Sequence, residues 1–459
     1  MKYLISNSDH SVDESRLQGH GFSAFTFSIE MVLLCYFIGL SIGWFILGFS
    51  YLRLFLSTPR IKRREISYLL KTGKPIPSLS IIIPARNEER YIKRCLQSLL
   101  WQYYESLEII MVDDNSTDDT LDIAKTIKDR RLKLITLRRT PRGWTGKSWA
   151  SQVGYLASKG KILLFTDADT FYYNKFAVLE TISLMQKERV DVVTGLPLIE
   201  LRDFYSKLIM PLYNLFSILC APSYSDLRNS KSNVGYLIGS FFIINKNVMD
   251  KIGGFRCVQS SIQEDTDLGV CLKKSRYPIV VIKISHLVSA FWSRNRRTLL
   301  EGIKRIVSYN LSNSRKNILI ETLAVIFLIV APFLLLPFVG NLNKNQGGDV
   351  ITILYFWNVL MCMLPIVAVA VVGMSKYRLN PLYSLLILFG AGFFLTTYLI
   401  SIFQLVSLSL SRAIRWKGRG YEYDQSWKEL RSNGVTVLSY GLCIANRIQE
   451  MRKNENYLC

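Results

Sequence analysis

LLFTDADTF, residues 163–171, is an apolar run that ends in two acids. The run reads as a buried strand, and Asp167 and Asp169, two positions apart, share one face of an extended chain. A fold that buries the strand therefore brings two carboxylates together at its carboxyl end. Like charges so placed repel each other unless a cation lies beside them.

Around this stretch two hydrophobic periods alternate. LSIII (79–83), LEIIMV (107–112), RLKLITL (131–137), KILLFT (161–166) and VDVVTG (190–195) read as strands. Between them EERYIKRCLQSLLWQ (88–102), DDTLDIAKTIK (118–128) and a segment around 147–158 have helical spacing, with Ser116, Thr117 and Asp118 as capping candidates. Strand alternating with helix predicts an α/β domain, a mostly parallel Rossmann-like sheet covered by helices on both faces. Such sheets bind ligands beyond the carboxyl ends of their strands. Pro84-Ala85-Arg86-Asn87-Glu88, Asp113-Asp114 and Asp167-Ala168-Asp169 all fall at those ends, so three polar clusters converge on one edge. Paired carboxylates there suit a hard divalent ion, Mg2+ or Mn2+, whose remaining positions go to water and phosphate.

The 459 residues are 49% hydrophobic, but unevenly so. Residues 25–56 and 318–410 hold long stretches almost free of charge, whereas 57–317 has an ordinary mixture. Met31 to Phe49 is long enough to cross a hydrocarbon core, and Arg53, Arg60, Lys62, Arg63, Arg64, Lys71 and Lys74 follow it. By the positive-inside rule the amino terminus is outside and the domain after the span is cytosolic. The expected organisation is a polar tail at 1–24, an anchor at 25–56, a cytosolic domain at 57–317, membrane segments at 318–410 and a basic tail at 411–459. The whole is an integral protein of the cell membrane.

A net charge of +22 by itself would suit nucleic acid, but the basic clusters sit beside apolar runs or just ahead of the acidic motif. Anionic lipid headgroups and an anionic ligand account for them, and no nucleic-acid partner is expected. Eight cysteines lack the spacing of a zinc site, and of three histidines only His286 falls in the central domain, where it reads as a packed core residue.

PARNEE (84–89), VDDNSTDDT (112–120), GWTGKSWA (143–150), DAD (167–169) and QEDTDLG (263–269), in this order, resemble the motif set of family 2 glycosyltransferases of the GT-A fold. The resemblance covers roughly residues 77–300. It implies that Pro84, Arg86, Glu88 and Asp114 hold the nucleobase and ribose of a sugar nucleotide, a UDP-sugar in the family's commonest case. It also implies that Lys147 lies near the diphosphate, and that Asp169, with Asp167, carries the metal. Asp265, supported by Glu264, takes the place of the family's base, which removes a proton from the acceptor hydroxyl. The local alternative for this acidic pair is a helix start that favours acids.

Polysaccharide synthases of this family follow the base with Gln-x-x-Arg-Trp. The stretch WSRNRRTLLEGIKRI (292–306) has arginines but not that motif, which argues against a processive polymerase. GWTGKSWA and RWKGRGY (415–421) are more similar to enzymes of hopanoid or carotenoid pathways, and the Trp-basic-Gly-Arg ending also to ceramide glucosyltransferases. A membrane lipid acceptor is the common element. The expected function is transfer of one sugar to a lipid hydroxyl; the alternatives are transfer to polyprenyl phosphate and, from another class, a transporter with a nucleotide-sensing domain. Residues 201–222 are an interfacial-helix candidate whose local alternative is an ordinary buried helix. The last apolar run, 381–410, is expected to break at Gly390-Ala391-Gly392 and turn back, which keeps RWKGRGY cytosolic.

Overall fold

The structure, a computed structural model, describes residues 14–59, 73, 75–217, 223–293, 295–313, 315–346, 349–407, 413–416 and 419–422. The start of the polar tail, most of the basic cluster at 60–74, the end of the 201–222 segment and most of the basic tail lie outside the described residues.

The central domain follows the alternating pattern. Its first part runs β1 (Leu79–Ala85), α2 (Ile92–Leu100), β2 (Leu107–Asp113), α3 (Thr120–Lys125), β3 (Leu132–Thr136), α4 (Gly146–Ala157) and β4 (Ile162–Phe165); α1 (Glu14–Ser57) precedes it. After β5 (Thr170–Tyr172) come α5 (Ala177–Glu188), β6 (Val192–Leu196), β7 (Leu198–Glu200), α6 (Phe204–Ser217), α7 (Tyr224–Arg228), β8 (Phe242–Asn245) and α8 (Lys246–Ile252). The domain closes with α9 (Glu264–Lys274), β9 (Val280–Lys283), β10 (Val288–Phe291) and α10 (Arg296–Asn313).

Seven strands form one sheet in the order β3-β2-β1-β4-β8-β6-β9, in which β8 runs antiparallel to both its neighbours. The strand order reverses at β1, with β2 on one side and β4 on the other, and that is where such sheets open a crevice for a ligand. Both faces are covered, which is why the strands read as continuous apolar runs. Ile81, Ile83, Ile109 and Met111 go to one face with Leu96 of α2 and Ile182 of α5. Ile82, Leu163 and Phe165 go to the other, with Tyr155 of α4, Met249 of α8 and Leu268 and Leu272 of α9. Beyond Phe165 the chain leaves the sheet through Asp167 to Asp169. It continues as β5 in a second, three-stranded sheet of order β5-β10-β7.

Among the described residues, four helical stretches are long and apolar enough to cross a membrane: Ile29–Leu54, Leu319–Lys344, Asp349–Tyr377 and Pro381–Ile400. The second combines α11 (Arg315–Val325), a π turn (Ile326–Val330) and part of α12 (Ala331–Gln346); the third is α13 (Asp349–Tyr377). Helix α6 packs among these helices. Its Ile209, Met210, Leu215 and Phe216 are buried in one cluster with Phe37 of α1, Met361 of α13 and Phe394. Over its described part the 201–222 segment is helical from Phe204 to Ser217, with one side buried and Phe204 exposed.

Three expectations are corrected. The final apolar helix, α14 (Ile387–Ser407), passes unbroken through Gly390-Ala391-Gly392. A side chain at Gly390 would meet the main-chain oxygen of Leu208 at 3.3 Å and the Leu212 side chain at 3.1 Å, so this glycine serves the close approach of α6 rather than a turn. His286 is exposed between β9 and β10, not packed in the core. Of the candidate caps of α3, Asp118 does meet the helix start, its Oδ1 accepting the Thr120 N–H at 3.1 Å while its Oδ2 accepts the Glu89 N–H at 3.2 Å, whereas Ser116 Oγ serves the neighbouring loop by accepting the Asn87 N–H at 3.0 Å. Part of the basic tail also forms a hairpin, β11 (Ala413–Trp416) with β12 (Arg419–Glu422), that the sequence pattern did not announce.

Candidate active site

The loops after β1 and β2 are zipped together. Asp114 N–H donates to the Ala85 carbonyl at 2.8 Å, and Arg86 Nη1 donates to the carbonyls of Asp114 at 2.5 Å and Asn115 at 2.9 Å. Thr117 N–H in turn donates to Asn87 Oδ1 at 2.8 Å. Asn87 and Asn115 both sit at φ 54°, the left-handed region that asparagine tolerates better than most residues. Glu88 is buried, with its N–H on Thr120 Oγ1 at 2.6 Å, and Asp114 is buried with Thr140 Oγ1 at 3.3 Å from its Oδ1. Pro84, Arg86, Glu88 and Asp114 are thus brought together at the carboxyl ends of two adjacent strands. Burial raises the Asp113 carboxyl above its ordinary range, although hydrogen bonds from Ser116 oppose this.

Lys147 stands in the first turn of α4, where Thr145 caps the helix by accepting the Ser148 N–H. A cation at a helix amino terminus opposes the helix dipole, so local helix preference does not place it there. Its reach explains the position. Lys147 Nζ lies 2.8 Å from Asp167 Oδ1 and 2.7 Å from Glu264 Oε1, with about a third of the lysine side chain, 32%, exposed. Burial opposes the charged form, but the carboxylates of Asp167, Glu264 and Asp265 outweigh it and hold the ammonium well above the ordinary lysine range.

Glu264 and Asp265 open α9, in keeping with the preference of helix starts for acids. Asp265 Oδ2 accepts the Gly239 N–H and Oδ1 the Thr266 N–H, both at 2.8 Å. Burial, then the charge of Glu264, push its carboxyl up to about 6, against the pull of Lys147 and Arg305. Two residues of this arrangement went unread in the sequence. A side chain at Gly239 would lie 2.7 Å from Asp265 Oδ2 and 3.1 Å from Lys147 Nζ, so a larger residue would push aside the two side chains of the site. Its sole sequence signal is a Gly-Ser pair before a buried strand, which reads as a turn. Arg305, on α10, comes from the arginine-bearing 292–306 stretch, where nothing distinguishes it from its neighbours.

Among the described residues no three His, Cys, Asp or Glu side chains form a metal-binding group. Asp167 and Asp169 are both half-buried at the strand end. The buried Cys95 thiol is pushed up by its burial and then by the charges of Asp169, Glu88 and Asp167. Two carboxylates without a third protein ligand fit Mg2+ or Mn2+, which bind through one or two such groups and leave room for substrate phosphates.

Residues 80–253 match Glycosyl transferase family 2. The matched stretch runs from β1 to α8 of the sheet domain, which is thus similar to family 2 glycosyltransferases. Among relatives, the chain is 26% identical over 250 residues to a 4,4'-diaponeurosporenoate glycosyltransferase of Staphylococcus haemolyticus, a match covering 54% of this chain and 66% of the relative. It is 26% identical over 275 residues to a beta-monoglucosyldiacylglycerol synthase of Nostoc sp., covering 58% and 56% respectively. The chain thus spans between about half and two thirds of these relatives' lengths. A solved mannosyltransferase from Pyrobaculum calidifontis, in complex with GDP-Man and Mn2+, is 16% identical with a TM-score of 0.42, covering 75% of this chain and 99% of that one.

Proposed function

We propose that the chain is an inverting glycosyltransferase of the cell membrane that moves a single sugar from a UDP-sugar to a hydroxyl of a membrane lipid. The observation that carries this reading is the Lys147 ammonium, 2.8 Å from Asp167 and 2.7 Å from Glu264. It joins the acids at the end of β4 to those at the start of α9, and so sets a donor subsite against an acceptor subsite. The relatives act, by their names, on a carotenoid acid and a diacylglycerol lipid, which supports a lipid acceptor here.

In this reading Pro84, Arg86, Glu88 and Asp114 line the nucleoside, and Lys147 faces the diphosphate, where its charge offsets that of the departing group. A divalent ion held by Asp169 and Asp167, Mg2+ or Mn2+, would supply Lewis-acid stabilisation of the same negative charge. Asp265 takes the proton of the acceptor hydroxyl as that oxygen attacks the anomeric carbon from the side opposite the leaving group. A carboxyl titrating at about 6 is ionised at neutral pH and more basic than an exposed one. Glu264 helps to hold Lys147 in place.

We also infer that α14 does not cross the bilayer. Tyr383, just before it, packs on Phe204, and Phe393 stacks on Tyr205, both at the start of α6. Arg296, at the start of α10, lies over Tyr205 and Phe393, and Tyr398 donates to Glu321 in α11 at 2.7 Å. Phe204, Tyr205 and Arg296 belong to the domain side of the molecule, and Glu321 stands in the first turn of the span Leu319–Lys344. With Ile29–Leu54, Leu319–Lys344 and Asp349–Tyr377 crossing, the amino terminus is outside, and the catalytic domain and the hairpin are cytosolic.

Vesicles of polar lipid extract incubated with radiolabelled UDP-glucose test the function. Label in a glycolipid stable to mild acid is expected, whereas label released by mild acid would assign a polyprenyl phosphate acceptor instead. Mass spectrometry of lipids from cells with and without the protein names sugar and acceptor together.

A further inference from the structure

Residues 265, 269 and 273 are spaced one turn apart along α9 and lie on one stripe. All three meet the same stretch of chain, residues 226–239, which leads from α7 to the glycine beside Asp265. At one end of the stripe, Asp265 Oδ2 accepts the Gly239 N–H at 2.8 Å. In the middle, Gly269 lies against the main chain of Tyr236, and Gly235 against the Gly269 carbonyl and the Lys273 side chain, so a Cβ at either glycine would collide. At the other end Lys273 is fully buried. Its ammonium donates to the carbonyls of Leu227 at 2.7 Å and Asp226 at 3.2 Å, and to that of Asn229. The far side of the stretch is tied as well, since the Tyr224 side chain is hydrogen-bonded to Thr58, just past the end of α1, and to Tyr236.

Burying an ammonium is costly, and main-chain carbonyls compensate it less well than a carboxylate does. What this lysine secures is the path of a loop. On the reading of Asp265 as the base, we infer that Lys273 is a positioning residue for transfer. It fixes residues 226–229, and through them the Gly239 N–H that orients the Asp265 carboxylate toward the acceptor. The charged groups that face Asp265 are Glu264 on its own helix, Lys147 from α4 and Arg305 from α10. Replacing Lys273 leaves all of them in place.

The test uses the full-length protein in vesicles of polar lipid extract, with radiolabelled UDP-glucose for transfer and UDP with Mn2+ for binding. Lys273→Met should lower kcat on the order of tenfold or more, the scale on which small misplacements of reacting groups act, while UDP affinity stays within about twofold. Lys273→Arg, which can still donate to the carbonyls, should recover most of the rate. If Lys273→Met does not fold, Gly269→Ala, which displaces Tyr236 at the middle of the stripe, should show the same split.

Where this donor gives no transfer, the pH at which the melting temperatures of Asp265→Asn and its parent diverge reports the titration of Asp265. Loss of the N–H should move that pH upward in the Lys273→Met background. Unchanged kcat, an unmoved titration, or loss of UDP affinity in step with kcat would overturn the inference. An inactive Asp265→Asn alongside a normal Lys273→Met would sink this inference alone, whereas an active Asp265→Asn would sink the base assignment beneath it.

Discussion

Lys147 and Asp167 form an ion pair of 2.8 Å that neither the helix nor the strand carrying them requires. The lysine opposes the dipole of its own helix, and the aspartate lies just beyond a strand whose core it does not enter. Lys147→Met therefore leaves Asp167, Glu264 and Asp265 facing each other without their cation. With the pair about one third exposed, the expected loss of stability is about 1–3 kcal/mol, less than for a fully buried pair. UDP binding by calorimetry should weaken as well. A variant that melts and binds UDP like the parent would remove Lys147 from the donor site.

Metal dependence should rest on Asp169 more than on Asp167, because Lys147 already offsets the charge of Asp167. UDP is expected to bind more tightly with Mg2+ or Mn2+ than in excess chelator. Asp169→Ala should abolish that difference, and Asp167→Asn should reduce it. Equal UDP affinity with and without chelator would refute metal use at this site.

Asp265→Asn should lower transfer on the order of a hundredfold or more, the usual scale of general base catalysis, with Glu264→Gln costing less. Its stability should move the other way. The folded carboxyl titrates at about 6 and the unfolded one at 3.8, so folding disfavours the ionised form. That penalty is absent below the unfolded value, grows as pH rises between the two, and is complete above the folded one. The variant is thus expected to be more stable than the parent by about 1–3 kcal/mol at pH 7.5 and equal to it near pH 3.5, as read by melting temperature across pH. A variant less stable than the parent at neutral pH would instead mark Asp265 as a helix-start acid.

Topology is checked with a single cysteine at Glu422 of the hairpin, in a chain without its native cysteines. The residue should react with an impermeant thiol reagent only after the cells are opened. Labelling of intact cells would place the hairpin outside and make α14 a fourth crossing.

The strands, the helices between them and the convergence of PARNE, Asp113-Asp114 and DAD were legible because each is a local pattern. A buried parallel strand is an apolar run, and its polar successor marks the ligand edge. What stayed hidden depends on contacts between distant segments. Lys147 meets Glu264 across more than a hundred residues of chain, and no periodicity encodes that. Gly390 reads as a helix break because glycine weakens helices, but the neighbouring α6, absent from any local window, makes it a point of close packing. The acids of α9 look stabilising at a helix start, yet burial of Asp265 reverses the sign for that residue.

Helix α6 shares one apolar core with the candidate spans, and on the proposed function the reactive edge of the sheet works beside the bilayer. The two reactants then reach it through different phases. A sugar nucleotide arrives by diffusion in water, at its bulk molarity, whereas a lipid arrives by lateral diffusion at its mole fraction in the leaflet. At a fixed total amount of acceptor, adding inert phospholipid should slow the reaction, while adding buffer should leave the lipid side of the rate untouched.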